Sequence, residues 1–333
     1  MSYVIDGAEW QFSGWTAVQI NEAIDNILQI IDQASSRGEN VWIGDDLQIR
    51  PIFKDFDLWS LCKPDSPIKL HPDIWQELAA WLLKAPRYLD SDENWLDGIE
   101  EVFVEIDQSE SNENADAAWA HHCVRSGKTV ACLGFNRRGA LHTRTALGEA
   151  TVHWVNDEES RRNFWRDAIQ VQGDSAETFK RLAPSAYPDL YFYDGMWRGL
   201  RDLSKPYTSL SVQLHNFLSK LNDHGKWAFT FPPPGLNLDD LPGPDLSERP
   251  SRQIIERRFK NLQLNISPEN PDVFGDKTSR EARQINMYGK IIYCEWHGKF
   301  EKHIDRIHIH APIAESDDRV VIAILHKHLP LPG

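Results

Sequence analysis

The chain has few cysteines. Cys62, Cys123, Cys132 and Cys294 stand far apart among 333 residues, with no CxxC pair. That spacing argues against a zinc ribbon and against a disulfide framework, and leaves buried thiols. No apolar run approaches the ~18 residues of a membrane-spanning helix, so no membrane association is expected. Walker A, GxGxxG, GxSxG and HExxH signatures are all missing. Ser126-Gly127-Lys128-Thr129 is no phosphate loop, because His122 occupies the place of its first glycine. No cofactor is therefore expected, and the sequence does not name its own reaction. The N-terminal MSYVIDGAEWQFSGW lacks a basic start followed by an apolar stretch, so a cytoplasmic protein without a signal peptide is expected.

What is there begins with size and charge. With 41% hydrophobic residues, the chain is long enough for roughly two domains. Its net charge is -14, unevenly spread. Residues 1–250 carry 23 Lys+Arg against 39 Asp+Glu, whereas residues 251–333 carry 13 against 11 and six of the thirteen histidines. An anionic partner would meet the C-terminal segment first.

Apolar spacing predicts a helix over 15–36, through Ile20, Ile24, Ile27, Ile30 and Ile31, with Gly38 as its stop. A strand over 41–43 and a helix over 72–89 follow. Residues 102–106, 115–125 and 129–135 read as a β-α-β unit, and 150–155 and 156–169 as a further strand and helix. A second helix period begins at Pro206 and Tyr207. The proline-rich stretch 231–250 reads as a stiff connector. Beyond it, 253–262 and 279–285 read as short helices and 290–296, 306–310 and 319–326 as strands, with turns at Gly298 and at Ser316-Asp317-Asp318. The expected architecture is an α/β domain over 1–230, with a mostly parallel sheet and flanking helices, and a smaller α+β domain over 251–333 with an antiparallel sheet.

Three constellations could carry chemistry. In the C-terminal sheet, alternation puts Arg306, His308 and His310 on one face, and His326 with His328 likewise. With Tyr293, His297, Lys299, Lys302 and His303 nearby in sequence, this is a surface able to hold phosphates and move protons near neutral pH. The same residues also read as an ordinary solvated face, or the two His-x-His pairs as metal ligands. A second set, Asp45, Asp46, Glu105, Asp107 and Asp157, lies around predicted strand ends. It could bind magnesium through Asp45, Glu105 and Asp107, or simply cap helices. Third, Asn136-Arg137-Arg138-Gly139 with Arg144 could receive a phosphate or pair with Glu149 or Asp157. Arg161, Arg162 and Arg166 read as a solvated helix face. Most of the thirteen tryptophans read as core, with Trp197 a candidate for base stacking.

The segments KIIYCEWHGK, RIHIHAP and RVVIAILHKHL, in that order, resemble the end of RelE/HigB-type toxins over about the last 80 residues. Those are small basic mRNA-cleaving proteins, whereas this segment is nearly neutral and joined to an acidic one. The resemblance implies two helices on an antiparallel sheet. It also implies RNA cleavage by Lys, Arg, Tyr or His groups that position the 2′-hydroxyl and stabilise the transition-state charge. Tyr293, His297, Arg306, His308 and His326 are then the candidate catalytic residues. Arg257, Arg258, Lys290, Lys299 and Lys302 are candidates for holding nucleic acid. The sequence thus implies a toxin- or defence-type effector that binds or cleaves RNA, restrained by its acidic domain, which could also hold a protein partner. The alternatives are a non-catalytic subunit of a larger assembly and a nucleotide-processing α/β enzyme.

Overall fold

A computed structural model describes residues 2–63, 66–90, 100–230, 250–301 and 304–332. The chain divides into two compact units, Met1–Gln172 and Gly173–Gly333. This corrects the division expected at the proline-rich stretch, whose residues 231–249 lie outside the described ones.

The first unit runs β1 (Ser2–Ile5), α1 (Ala17–Ser36), β2 (Asn40–Trp42), β3 (Pro51–Phe53), β4 (Phe56–Asp57), α2 (Pro72–Leu82), β5 (Phe103–Ile106), β6 (Asn112–Glu113), α3 (Ala115–Arg125), β7 (Val130–Leu133), β8 (Gly139–Thr145), β9 (Gly148–Val155) and α4 (Glu158–Val171). Its main sheet has the order β2-β1-β7-β9-β8-β5-β6. The first four strands are mutually parallel, and β8 and β6 run against them, so five of seven point one way. This is the expected α/β class with a mostly parallel sheet. The β5-α3-β7 crossover is present, but β9 and β8 stand between its strands.

Helix α1 forms because Thr16 and Gln19 build a capping box and an apolar stripe from Ile20 to Ala34 is buried. Each fully buried Ile or Leu of such a stripe is worth roughly 1.5–3 kcal/mol. Strands β1 and β8 are among those that escape the sequence reading. β1, next to the edge strand β2, has no polar alternation because Tyr3, Val4 and Ile5 are all buried. β8 begins at Gly139 directly after the Asn-Arg-Arg stretch that reads as a loop.

The second unit runs α5 (Ala176–Ala186), β10 (Leu190–Phe192), α6 (Met196–Gly199), α7 (Tyr207–Phe229), α8 (Arg252–Asn261), β11 (Ile266–Pro268), α9 (Pro271–Gly275), α10 (Lys277–Glu281), β12 (Gln284–Met287), β13 (Lys290–Tyr293), β14 (Trp296–Glu301), β15 (Ile304–His310) and β16 (Val320–His326). Its sheet has the order β10-β16-β15-β14-β11, antiparallel except for β10 beside β16. The expected antiparallel sheet is present, with two boundary corrections. The segment 279–285 is the end of α10 and the start of β12, and 290–296 splits into β13, which pairs with β12 in a separate two-stranded sheet, and the start of β14. Gly298, expected at a turn, sits inside β14. A side chain there would lie 2.6 Å from the Phe217 ring of α7, so glycine lets the helix close on the sheet.

Candidate functional site

Cross-strand partners in a sheet point to the same side. Ser267 on β11 pairs with His297 on β14, and His297 pairs with His308 on β15. Lys299 pairs with Arg306, and Arg306 with His326 on β16. The alternate residues Gly298, Ile307 and Leu325 are on the opposite face, which α7 and α6 cover. One face of the sheet therefore carries the polar residues. There Ser267, Glu269, Asp272, His297, Lys299 and Arg306 line a cavity of about 470 Å³.

The floor of this cavity is a buried ionic cluster. Glu269 Oε1 lies 2.9 Å from Arg283 Nε, 3.3 Å from His297 Nδ1 and 3.4 Å from His308 Nδ1. Arg283 and His308 are fully buried, and Glu269 and His297 nearly so. Arg283 is held in place by donating Nη1 to the carbonyls of Ser279 and Pro330. Burial alone would raise the Glu269 carboxyl, but the facing His297 and Arg283 groups outweigh it and hold it down at about 2. His308 is pushed down to about 3, first by burial and then by the neighbouring cations, against the pull of Glu269. The cluster thus contains an ionised carboxylate, a guanidinium and a neutral imidazole. Several of its atoms, including Glu269 Oε1, His297 Nδ1, both His308 ring nitrogens and the Arg306 Nε, are buried without a well-aligned hydrogen bond.

Both titrations have the same sign. Above its ordinary pH range near 4.5, ionised Glu269 contributes stability that is lost as pH falls toward about 2. Neutral His308 contributes stability that is lost as pH falls from about 6.5 toward about 3. Thermal unfolding of the second unit, followed against pH, is expected to show its melting temperature falling below about pH 6.5 and steepening below about 4.5. His308→Gln should flatten the limb between those two values, and an unchanged limb would contradict the assignment.

The expected site residues are distributed as follows. His297, Lys299 and Arg306 line the cavity and His308 lies beneath it. Lys299 and Arg306 make no ion pair among the described residues. Tyr293 is on the β12–β13 hairpin rather than the main sheet, with its ring against Phe274 and its hydroxyl buried without a partner. Burial, then the charge of Glu269, raises that hydroxyl above its ordinary range. His326 shares the polar face, and its Nδ1 accepts the backbone N–H of His328, which has left the strand.

The nucleic-acid set needs correcting. Arg258 is buried and donates Nη1 to the carbonyls of Trp227, Ala228 and Thr230, closing the C-terminus of α7. Lys290 is paired with Glu315 at 2.6 Å. Arg257 is exposed on α8, and Lys302 and His303 lie outside the described residues. Ser267, Glu269 and Arg283 escaped the sequence reading. Glu269 sits in a short connection before α9, and only its distant partners set it apart.

In the first unit, the magnesium alternative is not met. Asp45 follows β2 and Glu105 is on β5, five strands apart in the sheet order, and each faces an arginine, Arg87 and Arg144. Asp157 caps α4. Among the described residues no group of three His, Cys, Asp or Glu could hold a metal ion. The arginines of the third set are paired, Arg137 with Glu9, Arg138 with Asp157 and Glu159, and Arg144 with Glu149. Arg161 is buried against Glu158 and Glu39 rather than solvated. Trp197 stacks on Phe192, which covers one face of its ring.

The acids that do gather there are Asp6, Glu9 and Asp116, at the carboxyl ends of β1 and β7, where the chain switches direction across the sheet. All six oxygens have protein donors. Asp6 accepts from Ala8 N, Asn114 Nδ2 and Trp154 Nε1. Glu9 accepts from the backbone of Phe135, Asn136 and Arg137 and from Arg137 Nη1. Asp116 accepts from Gly7 N and the Tyr88 hydroxyl, and burial followed by the charge of Asp6 raises it to about 7. This cluster fastens the loops at the strand ends.

No helix of the described residues is long and apolar enough to cross a membrane. Comparison with protein-family models, with curated proteins and with solved structures returned no match.

Proposed function

We propose that the second unit binds RNA and cleaves its phosphodiester backbone without a metal ion, as the working part of a toxin- or defence-type effector. The observation that carries this reading is the single cavity lined by His297, Lys299 and Arg306, with Glu269 behind the histidine. Lys299 and Arg306, free of carboxylate partners among the described residues, can hold two phosphate oxygens by charge-assisted hydrogen bonds. His297 turns Nδ1 to Glu269, which leaves Nε2 toward the cavity as a proton acceptor. Arg283 keeps Glu269 ionised, so the carboxylate orients the ring without taking its proton.

Charge distribution adds support. Residues 1–172 hold 15 Lys+Arg against 29 Asp+Glu, while 173–333 hold 21 of each. The whole net charge of -14 therefore belongs to the first unit, and a polyanion meets no net repulsion from the second. Restraint of the effector, or capture of a basic protein partner, is the role this reading gives the acidic unit.

The test is induction of the full chain in a bacterial host, with RNA integrity followed on a gel. Growth arrest with RNA cleavage is expected, and His297→Ala should lower cleavage by roughly 10²–10⁴-fold. Arrest-free growth with intact RNA would sink the reading and favour a non-catalytic subunit.

A further inference from the structure

The same cavity holds a serine hydroxyl beside its histidine. Ser267 Oγ lies 3.4 Å from His297 Nε2, and His297 Nδ1 lies 3.3 Å from Glu269 Oε1. A hydroxyl, an imidazole and a carboxylate thus stand in file, each within reach of the next, with the imidazole addressed through both nitrogens. That is the arrangement by which a base activates a serine and is itself oriented by an acid, recognised by geometry rather than sequence order. Distances somewhat longer than a formed hydrogen bond are common in such relays before substrate binds.

Three features point to a ligand here rather than a structural contact. Ser267 and His297 are register partners on adjacent strands, so the backbone fixes their approach. Arg306 lines the cavity, and its Nε is buried without a hydrogen-bond partner among the described residues. Lys299 and Arg306 line the same cavity as Ser267, where charge would develop on the oxygens of an attacked phosphoryl group.

We infer that Ser267 is the attacking nucleophile of this site, so that the phosphodiester is cleaved through a covalent phosphoseryl intermediate and not by the ribose 2′-hydroxyl. This rests on the phosphodiester reading of the cavity. In the first step the bond from Ser267 Oγ to phosphorus forms and the bond from phosphorus to the leaving ribose oxygen breaks. The hydroxyl proton passes to His297 Nε2 and on to the leaving oxygen. In the second step a water gives its proton to Nε2 and attacks phosphorus. The Oγ–P bond breaks, and Oγ takes the proton back. Glu269 is a positioning residue that holds the Nδ1–H side of the ring. The substrate class widens accordingly, because a strand lacking 2′-hydroxyls is also cut.

The experiment treats the purified full chain with a fluorophosphonate probe, maps the adduct by mass spectrometry, and incubates the protein with an RNA strand and its all-2′-deoxy counterpart. Modification of Ser267 that disappears in His297→Ala, with both strands cut, is the expected result. Ser267→Ala should lower cleavage on the order of 10³-fold or more, while Ser267→Cys, which keeps a nucleophile of the same reach, retains a measurable part. Cleavage of RNA alone that persists in Ser267→Ala would overturn the inference and leave the RNA reading standing. A Ser267 adduct with neither strand cut would keep the nucleophile and remove the RNA reading. No adduct and no deoxy cleavage would overturn the inference.

Discussion

Glu269→Leu is expected to unfold the second unit near room temperature or bring it close to unfolding. The carboxylate faces Arg283, which is fully buried and would be left as an uncompensated charge. Breaking a buried pair from one side costs about 3–5 kcal/mol, a large part of the ~5–15 kcal/mol that holds a domain together. The double variant Glu269→Leu with Arg283→Met removes both charges and should recover most of that loss, because an apolar pair of similar volume replaces the ionic one. Denaturant unfolding of the two variants distinguishes this account from simple overpacking. A single variant within about 1 kcal/mol of the parent would mean that water already reaches the pair.

The second large effect is expected at Glu9→Ala in the first unit. Its carboxylate takes three consecutive backbone N–H groups, of Phe135, Asn136 and Arg137, and the Arg137 guanidinium. An unsatisfied buried donor costs about 1–3 kcal/mol, so the loss is expected to reach about 3 kcal/mol or more. Hydrogen exchange at residues 135–137 should accelerate together. Gly134→Ala should do the same from the other side, since its new carbon would collide with Glu9 Oε2. Unchanged exchange at those three amides in both variants would contradict the role given to Glu9.

Much of the architecture was legible in local pattern. Helix α3 spans Ala115–Arg125 as its composition predicts, because Asn114 caps it and its apolar face lies against the sheet. Helix α7 likewise follows the spacing of Leu210, Leu214, Phe217, Leu218 and Leu221. What failed depends on distant partners. Proline content at 231–250 reads as a boundary, yet the compact division comes earlier, after Gln172. Residues 173–230 join the second unit because β10 pairs with β16 and α7 packs on β14 and β16. Neither pairing leaves a local trace. Gly298 reads as a turn because glycine punctuates loops, whereas here it makes room for Phe217.

The candidate site was legible in part for the same reason. Alternation along β15 correctly put Arg306 and His308 on one face, and the register with β14 added His297 and Lys299. Arg258 failed as a nucleic-acid contact because a basic residue next to an aromatic one on a short helix looks solvent-facing. Only the nearby end of α7 turns its guanidinium inward. Glu269 and Ser267 carry no motif, and their roles come from a strand pairing and a carboxylate shared by Arg283, His297 and His308.

The central claim is that this cavity cleaves phosphodiesters with protein groups alone. The most direct measurement incubates the purified full chain with an end-labelled RNA strand in the presence of a strong chelator, beside Arg306→Ala and His297→Ala. The account predicts cleavage that survives chelation and falls by at least about 100-fold in each variant. Cleavage abolished by the chelator, or undiminished in both variants, would contradict it.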